Sequence, residues 1–161
     1  MGRVKFDMSG WKGLEKTLKN EKYFTRIGIL GSNGSKEHAH STKTNAEIGE
    51  IHELGLVAGI PKRSFLKMPL ETKLFSKISA EKENYYTALK NGKMKKWFQA
   101  VGLWAEEIID EAFATSGFGS WAPNSPVTIS RKVREGSAQK AMPLIDTGQL
   151  RNSITSTVIH K

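Results

Sequence analysis

Cysteine is absent from the 161 residues of this chain. Its absence excludes a disulfide framework, a thiol nucleophile and a thiolate zinc site, and it fits assembly in a reducing cytosol. Long apolar runs are also missing, because none approaches the roughly 20 residues that a membrane-spanning helix requires. Residues 1–5 alternate in polarity and lack the apolar block of a signal peptide. The sequence therefore predicts a soluble, unexported protein with no membrane partner.

The motifs of several enzyme classes are incomplete. The His52-Glu53 pair begins like the zinc-binding HExxH motif, but position 56 is leucine. The Gly92-Lys93 pair is followed by methionine instead of the Ser or Thr of a phosphate-binding loop. The run His38-Ala39-His40 has no third metal ligand nearby, and no Ser, His and Asp set stands in a nucleophile context. We therefore expect no enzymatic activity, no bound metal and no cofactor.

Positive charge is plentiful. The chain has 25 Lys and Arg against 16 Asp and Glu, which gives a net charge of +9. Such a surplus favours contact with polyanions or with acidic protein surfaces.

Hydrophobic residues make up 38% of the chain, which is enough to build a core. The length suits one domain, so we expect residues 1–161 to fold as a single unit.

The spacing of apolar residues predicts the main elements. We expect strands at residues 4–8, 25–31 and 155–159. We expect helices at residues 9–20, at 46–54 with Asn45 as its cap and Gly55 as its stop, within 67–89 as one or two pieces, and at 93–115 after a break at Asn91-Gly92. Residues 31–45 and 116–142 are polar, rich in Gly and Ser and without clear periodicity, which predicts two long mobile loops.

The helix predicted at residues 93–115 carries a wide apolar stripe from Trp97 to Phe113, with charged residues on its other side. Such a stripe more often packs in a core than forms a binding site. We therefore predict an α+β fold with a small, mostly antiparallel sheet. Its strands lie near Val4, Ile27 and Val158, and the long amphipathic helix packs on one face of the sheet.

Residues 143–154 form the most informative run of the chain. Asp146 can accept hydrogen bonds from free N–H groups of the next turn, and Gln149 can reach back to the amide of Asp146, as in a capping box. Thr147 is a second candidate cap, and Leu150 and Ile154 would share a helix face. Locally, the run predicts a capped turn that enters a short helix and leaves as a strand.

Two separated stretches have the character of family signatures. The first is Leu144-Ile145-Asp146-Thr147-Gly148-x-Leu150-Arg151-x-Ser153-Ile154, preceded by Trp121, Pro123, Thr128 and Lys132. The second combines Arg26-Ile27-Gly28-Ile29-Leu30-Gly31, Asn45-Ala46-Glu47-Ile48-Gly49, His52-Glu53-x-Gly55 and Ile60-Pro61-x-Arg63-Ser64-Phe65-Leu66. Together they resemble the signatures of bacteriophage neck and tail-completion proteins, a family of virion morphogenesis proteins.

The resemblance has two departures in sequence and one in order. Leu54 stands where many members have Phe, and Ser64 stands where many have Pro. In several Mu-type relatives the Asp-Thr-Gly signature precedes the His-Glu signature, whereas here it follows. The reversed order implies a permuted version of one fold, in which the last strand lies beside the first strands in one sheet.

The resemblance implies a structural protein of the virion neck or tail terminus, assembled in the host cytoplasm, that completes the tail or joins it to the head. Its implied partners are further copies of the chain in a ring, neighbouring neck, tail-tube or connector proteins, and packaged DNA through non-specific contact. The expected assembly interface comprises Asp146, Thr147, Gly148, Arg151, Pro61, Arg63 and Phe65. The expected DNA-facing residues are Arg131, Lys132, Arg134 and Lys140.

Each interface residue also has a local role open to it, as a cap, a turn or a core anchor. Arg151 is the exception, because neither a cap nor a core needs a guanidinium there, and its fork suits a carboxylate. Two other functions stay open. The charge favours a sequence-independent nucleic-acid-binding module, although no helix-turn-helix, zinc or RNA-recognition motif is present. The second open function is that of a tail assembly chaperone, which leaves the particle before maturation.

Overall fold

The computed structural model describes residues 22–161, so the strand predicted at residues 4–8 and the helix predicted at 9–20 lie outside the described residues. Two strands, β1 (Tyr23–Ile29) and β2 (Ile154–His160), pair antiparallel, with Tyr23 opposite His160 and Ile29 opposite Ile154. Both are rich in β-branched residues, which suit a pleated, half-buried surface. The C-terminal strand therefore lies beside the strand near Ile27, which confirms that expected pairing.

Within residues 22–161, seven helices lie between the two strands. They are α1 (Ser32–Ser35), α2 (Asn45–Leu54), α3 (Lys67–Ala80), α4 (Lys82–Lys90), α5 (Met94–Ala114), α6 (Pro126–Arg134) and α7 (Gln149–Asn152). Gly55 ends α2 in the left-handed conformation, with φ of 73°, as the sequence predicts. This combination is an α+β fold, as expected. None of these helices is both long and apolar enough to cross a membrane.

The longest helix, α5, packs across one face of the sheet. A Cβ atom added to Gly102 of α5 would stand 2.5 Å from Ser156 Oγ on β2, so only glycine allows this approach. On β1, the Thr25 hydroxyl donates a hydrogen bond to the Phe98 carbonyl oxygen at 2.7 Å. The Glu106 carboxylate of α5 accepts a hydrogen bond from the Ser156 amide at the edge of β2. The helix is thus joined to both strands.

The main core lies where α5 meets the segment before α3 and the C-terminal region. Its buried members are Phe65, Ile109, Ala112, Phe113, Trp121 and Leu150. The Phe113 ring is centred 5.6 Å from the Phe65 ring and 5.5 Å from the Trp121 ring. The Trp121 indole N–H donates to the Ser64 carbonyl oxygen at 3.1 Å, so the buried ring has a partner for its one polar atom. Trp121 therefore belongs to the core.

The segment 116–142, predicted as a loop, contains helix α6. Ser125 caps this helix by accepting a hydrogen bond from the Thr128 amide at 3.2 Å, and Pro126 occupies the first turn. The preceding Asn124 is buried and donates to the Met142 carbonyl oxygen at 3.1 Å. The nine residues of α6 make too short a pattern to stand out in the sequence, and tertiary contacts supply what propensity does not.

The segment 31–45, also predicted as a loop, contains α1 and an isolated bridge between Glu37 and Thr44. The prediction that Asn45 caps α2 is wrong by one residue. The Thr44 hydroxyl accepts from the Glu47 amide at 3.3 Å, and the Glu47 carboxylate accepts from the Thr44 amide at 2.7 Å, which is a capping box. Asn45 is buried instead, and its side chain donates to the Asn33 carbonyl oxygen at 2.9 Å.

Candidate assembly site

A cleft of about 680 Å³ brings the two signatures together. We refer to it as the signature cleft. The first signature supplies Leu144, Asp146 and Leu150, and the second supplies Ile48, His52, Ile60, Pro61 and Arg63. Residues 38–41, residues 123–126 and the α6 residues Thr128, Arg131 and Lys132 complete the lining, together with Gly59. Residues 81 to 102 positions apart in sequence therefore face one cavity.

Arg63 joins the two halves of the cleft. The side chain is buried, with 6% of the residue exposed. Its Nε atom donates to the Ala122 carbonyl oxygen at 2.8 Å, and its Nη2 atom donates to the Pro123 carbonyl oxygen at 3.0 Å. Burial lowers the pKa of this guanidinium below its ordinary value. Arg63, which was predicted as an interface residue, therefore connects the second signature to the segment before α6.

Lys132 is buried below the cleft, with 3% of the residue exposed. Its ammonium donates to the Met142 carbonyl oxygen at 2.9 Å and to the Ile145 carbonyl oxygen. Burial is the main cause that lowers the pKa of Lys132, and the Asp146 carboxylate opposes it. The prediction that Lys132 faces DNA is wrong, because a buried ammonium bound to carbonyl oxygens has no surface for a phosphate.

Two other basic residues of the predicted DNA-facing set, Arg134 and Lys140, are exposed. Arg131 is half-buried and pairs with two carboxylates, that of Glu135 at 3.2 Å and that of Asp146 at 3.2 Å. Of the four basic residues predicted to face DNA, Lys132 is therefore buried, Arg131 is paired with carboxylates, and Arg134 and Lys140 are exposed.

The prediction that Asp146 caps the helix after it is wrong. The N-cap of α7 is Gly148, which adopts the left-handed conformation with φ of 77°. The Thr147 hydroxyl accepts a hydrogen bond from the Gln149 amide at 3.3 Å, so the second candidate cap makes a contact at this turn. Asp146 turns toward Arg131 of α6 instead, because that cation lies within hydrogen-bond distance.

Gln149 does not form the predicted capping box with Asp146. Its side chain spans to the segment before α2, where its Oε1 atom accepts from the Ala39 amide at 2.8 Å. Its Nε2 atom donates to the Glu37 carbonyl oxygen at 2.7 Å. One amide side chain thus satisfies a backbone donor and a backbone acceptor, and it fixes residues 37–39 against α7 at the edge of the cleft.

His52 lines the signature cleft from α2. Burial lowers its pKa to about 4, and the positive charges of Arg63 and His38 act in the same direction. The ring is therefore neutral at pH 7. Its Nδ1 atom is buried without a hydrogen-bond partner among the described residues. Nearby, His38 Nδ1 lies 2.8 Å from Asn45 Oδ1.

Glu53, the neighbour of His52, caps the start of α3. Its carboxylate accepts hydrogen bonds from the amides of Phe65 at 2.8 Å, Leu66 at 2.9 Å and Lys67 at 3.1 Å, and from the Ser64 hydroxyl at 2.6 Å. A carboxylate is favoured at this position because free N–H groups and the helix dipole converge there. Sequence reasoning missed this role, since the cap and its donors are 11 to 14 residues apart.

The remaining predicted interface residues differ in exposure. Phe65 is fully buried in the core, so its local role as an anchor accounts for it. The Arg151 guanidinium binds both carboxylate oxygens of Asp110 at 2.8 Å, so this residue also has a local role, as the partner of a carboxylate within the same chain. Pro61 and Thr147 are exposed. Those two are therefore open to a partner.

In comparisons with known proteins, no family model, no curated protein and no solved structure matches this chain. The resemblance to phage neck and tail-completion proteins therefore rests on the residues of the two signatures.

Proposed function

We propose that this chain is a structural virion protein of the phage neck or tail terminus, which completes the tail or joins it to the head as a subunit of a ring. The observation that carries the proposal is the convergence of the two signatures on one cleft. Each of the two signatures resembles the family by itself, and the two also lie together in the fold, as the parts of one contact surface would. In this proposal the protein has no catalytic role.

Exposed apolar side chains support an assembly role. Leu54 ends α2, and Leu56 and Val57 follow it, whereas Val127, Ile129 and Val133 lie on α6. Both α2 and α6 also contribute residues to the signature cleft. Groups of exposed apolar side chains are typical of protein contact surfaces. A contact of one such surface with a different surface of the next copy is heterologous, and it forms a ring where the rotation closes.

The proposed role divides the predicted interface residues between support and contact. Arg63 and Phe65 hold the cleft in shape from within, whereas Pro61 and Thr147 stand at the surface, where a neighbouring subunit would meet them. Arg134 and Lys140 are the basic residues that would face packaged DNA in the ring lumen, through phosphate attraction that does not depend on sequence.

Light scattering of the purified chain, alone and mixed with the tail-tube protein of the phage that encodes it, tests the proposal. We expect a discrete oligomer in at least one of the two samples, with rings visible by negative-stain electron microscopy. A chain that stays monomeric in both samples would overturn the ring. Mass spectrometry of purified virions distinguishes a resident component from an assembly chaperone, which would be missing from mature particles.

A sequence-independent nucleic-acid-binding module is the second candidate, and the net charge of +9 favours it. A filter-binding titration of duplex DNA against salt separates the two functions. The module would bind tightly as a lone domain, with an affinity that falls steeply as salt rises. The neck protein would bind weakly on its own, because its basic groups act together only after assembly.

A further inference from the structure

The signature cleft carries more positive than negative charge. Its lining includes Arg63, Arg131 and Lys132 but a single carboxylate, that of Asp146. Because Asp146 pairs with Arg131 at 3.2 Å, it is already engaged at the rim. Within residues 22–161, neither Arg63 nor Lys132 has a carboxylate at hydrogen-bond distance.

Arg63 and Lys132 hold their charges against backbone carbonyl oxygens instead. Each donates two hydrogen bonds to such oxygens, out of five donors on a guanidinium and three on an ammonium. Carbonyl dipoles offset part of the cost of burying a cation but do not cancel its charge. Two buried cations beside a cleft therefore retain a strong attraction for an anion that enters it.

The recessed position of these charges limits what can reach them. Arg63 and Lys132 are 6% and 3% exposed, and prolines at positions 61, 123 and 126 stand in the walls around them. A nucleic-acid duplex presents its phosphates on a broad convex surface and cannot enter such a recess. The cleft volume of about 680 Å³ suits a short peptide segment, since ligand pockets span ~300–1,000 Å³, and a segment lying in the cleft would be near these charges without direct contact.

We propose that the signature cleft binds an acidic, extended segment of a neighbouring virion protein, with a carboxylate of that segment meeting Arg131 at the rim and attracted there by the charges of Arg63 and Lys132, which are buried in the cleft wall. The inference rests on the proposed function for the source of the segment. The chemistry of the ligand rests on the cleft alone. Apolar lining from Ile60 and Leu144 gives the backbone and stems of such a segment surface to pack against.

Fluorescence anisotropy with a dye-labelled peptide of alternating glutamate and proline residues tests the inference at low ionic strength, where charge attraction is least screened. The control peptide carries glutamine in place of glutamate. We expect the acidic peptide to bind about tenfold or more tightly than the control, because a carboxylate at Arg131 gains a charge-assisted hydrogen bond and lies near two buried positive charges. Equal binding of the two peptides, or binding of neither, would overturn the inference.

Two pairs of variants localise the binding. Arg131→Gln removes a rim cation and should weaken binding of the acidic peptide about tenfold, whereas Lys90→Gln removes the same charge from α4 and should change it less than about twofold. Pro61→Glu adds a carboxylate at the exposed rim and should also weaken binding, with Pro61→Gln as its neutral match. Urea denaturation of each variant checks that it is folded. Equal effects of Arg131→Gln and Lys90→Gln, together with equal effects of the Pro61 pair, would place binding elsewhere and overturn the inference.

Competition by an unlabelled DNA oligonucleotide separates the ligand classes. If DNA displaces the acidic peptide completely at equal charge concentration, the cleft is a nucleic-acid site and the inference is wrong. The result is independent of the assembly measurement. Rings without peptide binding would leave the proposed function in place and overturn the proposed cleft ligand. Peptide binding by a chain that never assembles would support the cleft ligand and overturn the proposed function.

Discussion

Replacement of Glu53 by alanine isolates the interaction that joins the end of α2 to the start of α3. The carboxylate accepts three backbone N–H bonds, from Phe65, Leu66 and Lys67, and one bond from the Ser64 hydroxyl. Phe65 is completely buried in the main core, so its amide has little access to replacement water. The Glu53→Ala substitution leaves these donors without their acceptor while the surrounding packing is kept.

The size of the effect follows from the kinds of bond that are lost. A hydrogen bond to a charged group contributes about 1.5–3 kcal/mol, and loss of a helix N-cap costs about 0.5–2 kcal/mol. The four bonds share one carboxylate and two of the amides are near the surface, so their contributions do not add. We expect Glu53→Ala to lower the free energy of unfolding by about 2–4 kcal/mol, and Glu53→Gln, which keeps one acceptor oxygen, to lower it by about half as much.

Urea denaturation followed by tryptophan fluorescence measures the loss, because Trp121 lies in the same core. Glu50→Ala is the matched control, since Glu50 is an exposed glutamate on the same helix. The control should stay within about 0.5 kcal/mol of the parent protein. If Glu53→Ala also falls within that margin, the carboxylate does not cap α3 in solution and the structural account of the His52-Glu53 pair is wrong.

Three further predictions concern packing, ion pairing and pH. Gly102→Ala should lower the free energy of unfolding by about 1–3 kcal/mol, because its Cβ would stand 2.5 Å from Ser156 Oγ, and a denaturation midpoint equal to that of the parent would contradict the close approach of α5 to β2. The exposed pair of Arg151 and Asp110 should show a coupling of only about 0.5–1 kcal/mol in a double-mutant cycle, and removal of Arg151 should raise the pKa of Asp110, measured by NMR titration. The pKa of His52 is lowered to about 4, so the unfolded chain takes up a proton between pH 6.5 and pH 4 that the folded chain does not, and stability should fall as pH decreases through that window. His52→Gln should remove up to about 2 kcal/mol of the difference in unfolding free energy between pH 7.5 and pH 4.5, after allowance for partial exposure, and an unchanged difference would refute the assignment.

Local pattern alone determined most of the elements in residues 22–161. The apolar stripe from Trp97 to Phe113 indicated α5, the β-branched run at residues 155–159 indicated β2, and Gly55 marked the end of α2. These signals depend on the spacing of apolar or β-branched residues along the sequence, or on the backbone freedom of one glycine. Both depend only on residues close in sequence, so they can be detected in one sequence without the tertiary structure.

Tertiary structure alone decided which polar side chain meets which partner. Glu53 caps a helix that begins 14 residues later, Lys132 turns inward to the Met142 carbonyl oxygen, and Gln149 reaches Glu37 across 112 residues. Hydrogen bonds of this kind depend on where packing brings distant segments, and many acceptors compete for each donor. The sequence therefore marked many residues of the signature cleft but not residues 38–41, Gly59 or residues 124–126, and the fold determined which lining residues are buried and which are exposed to a partner.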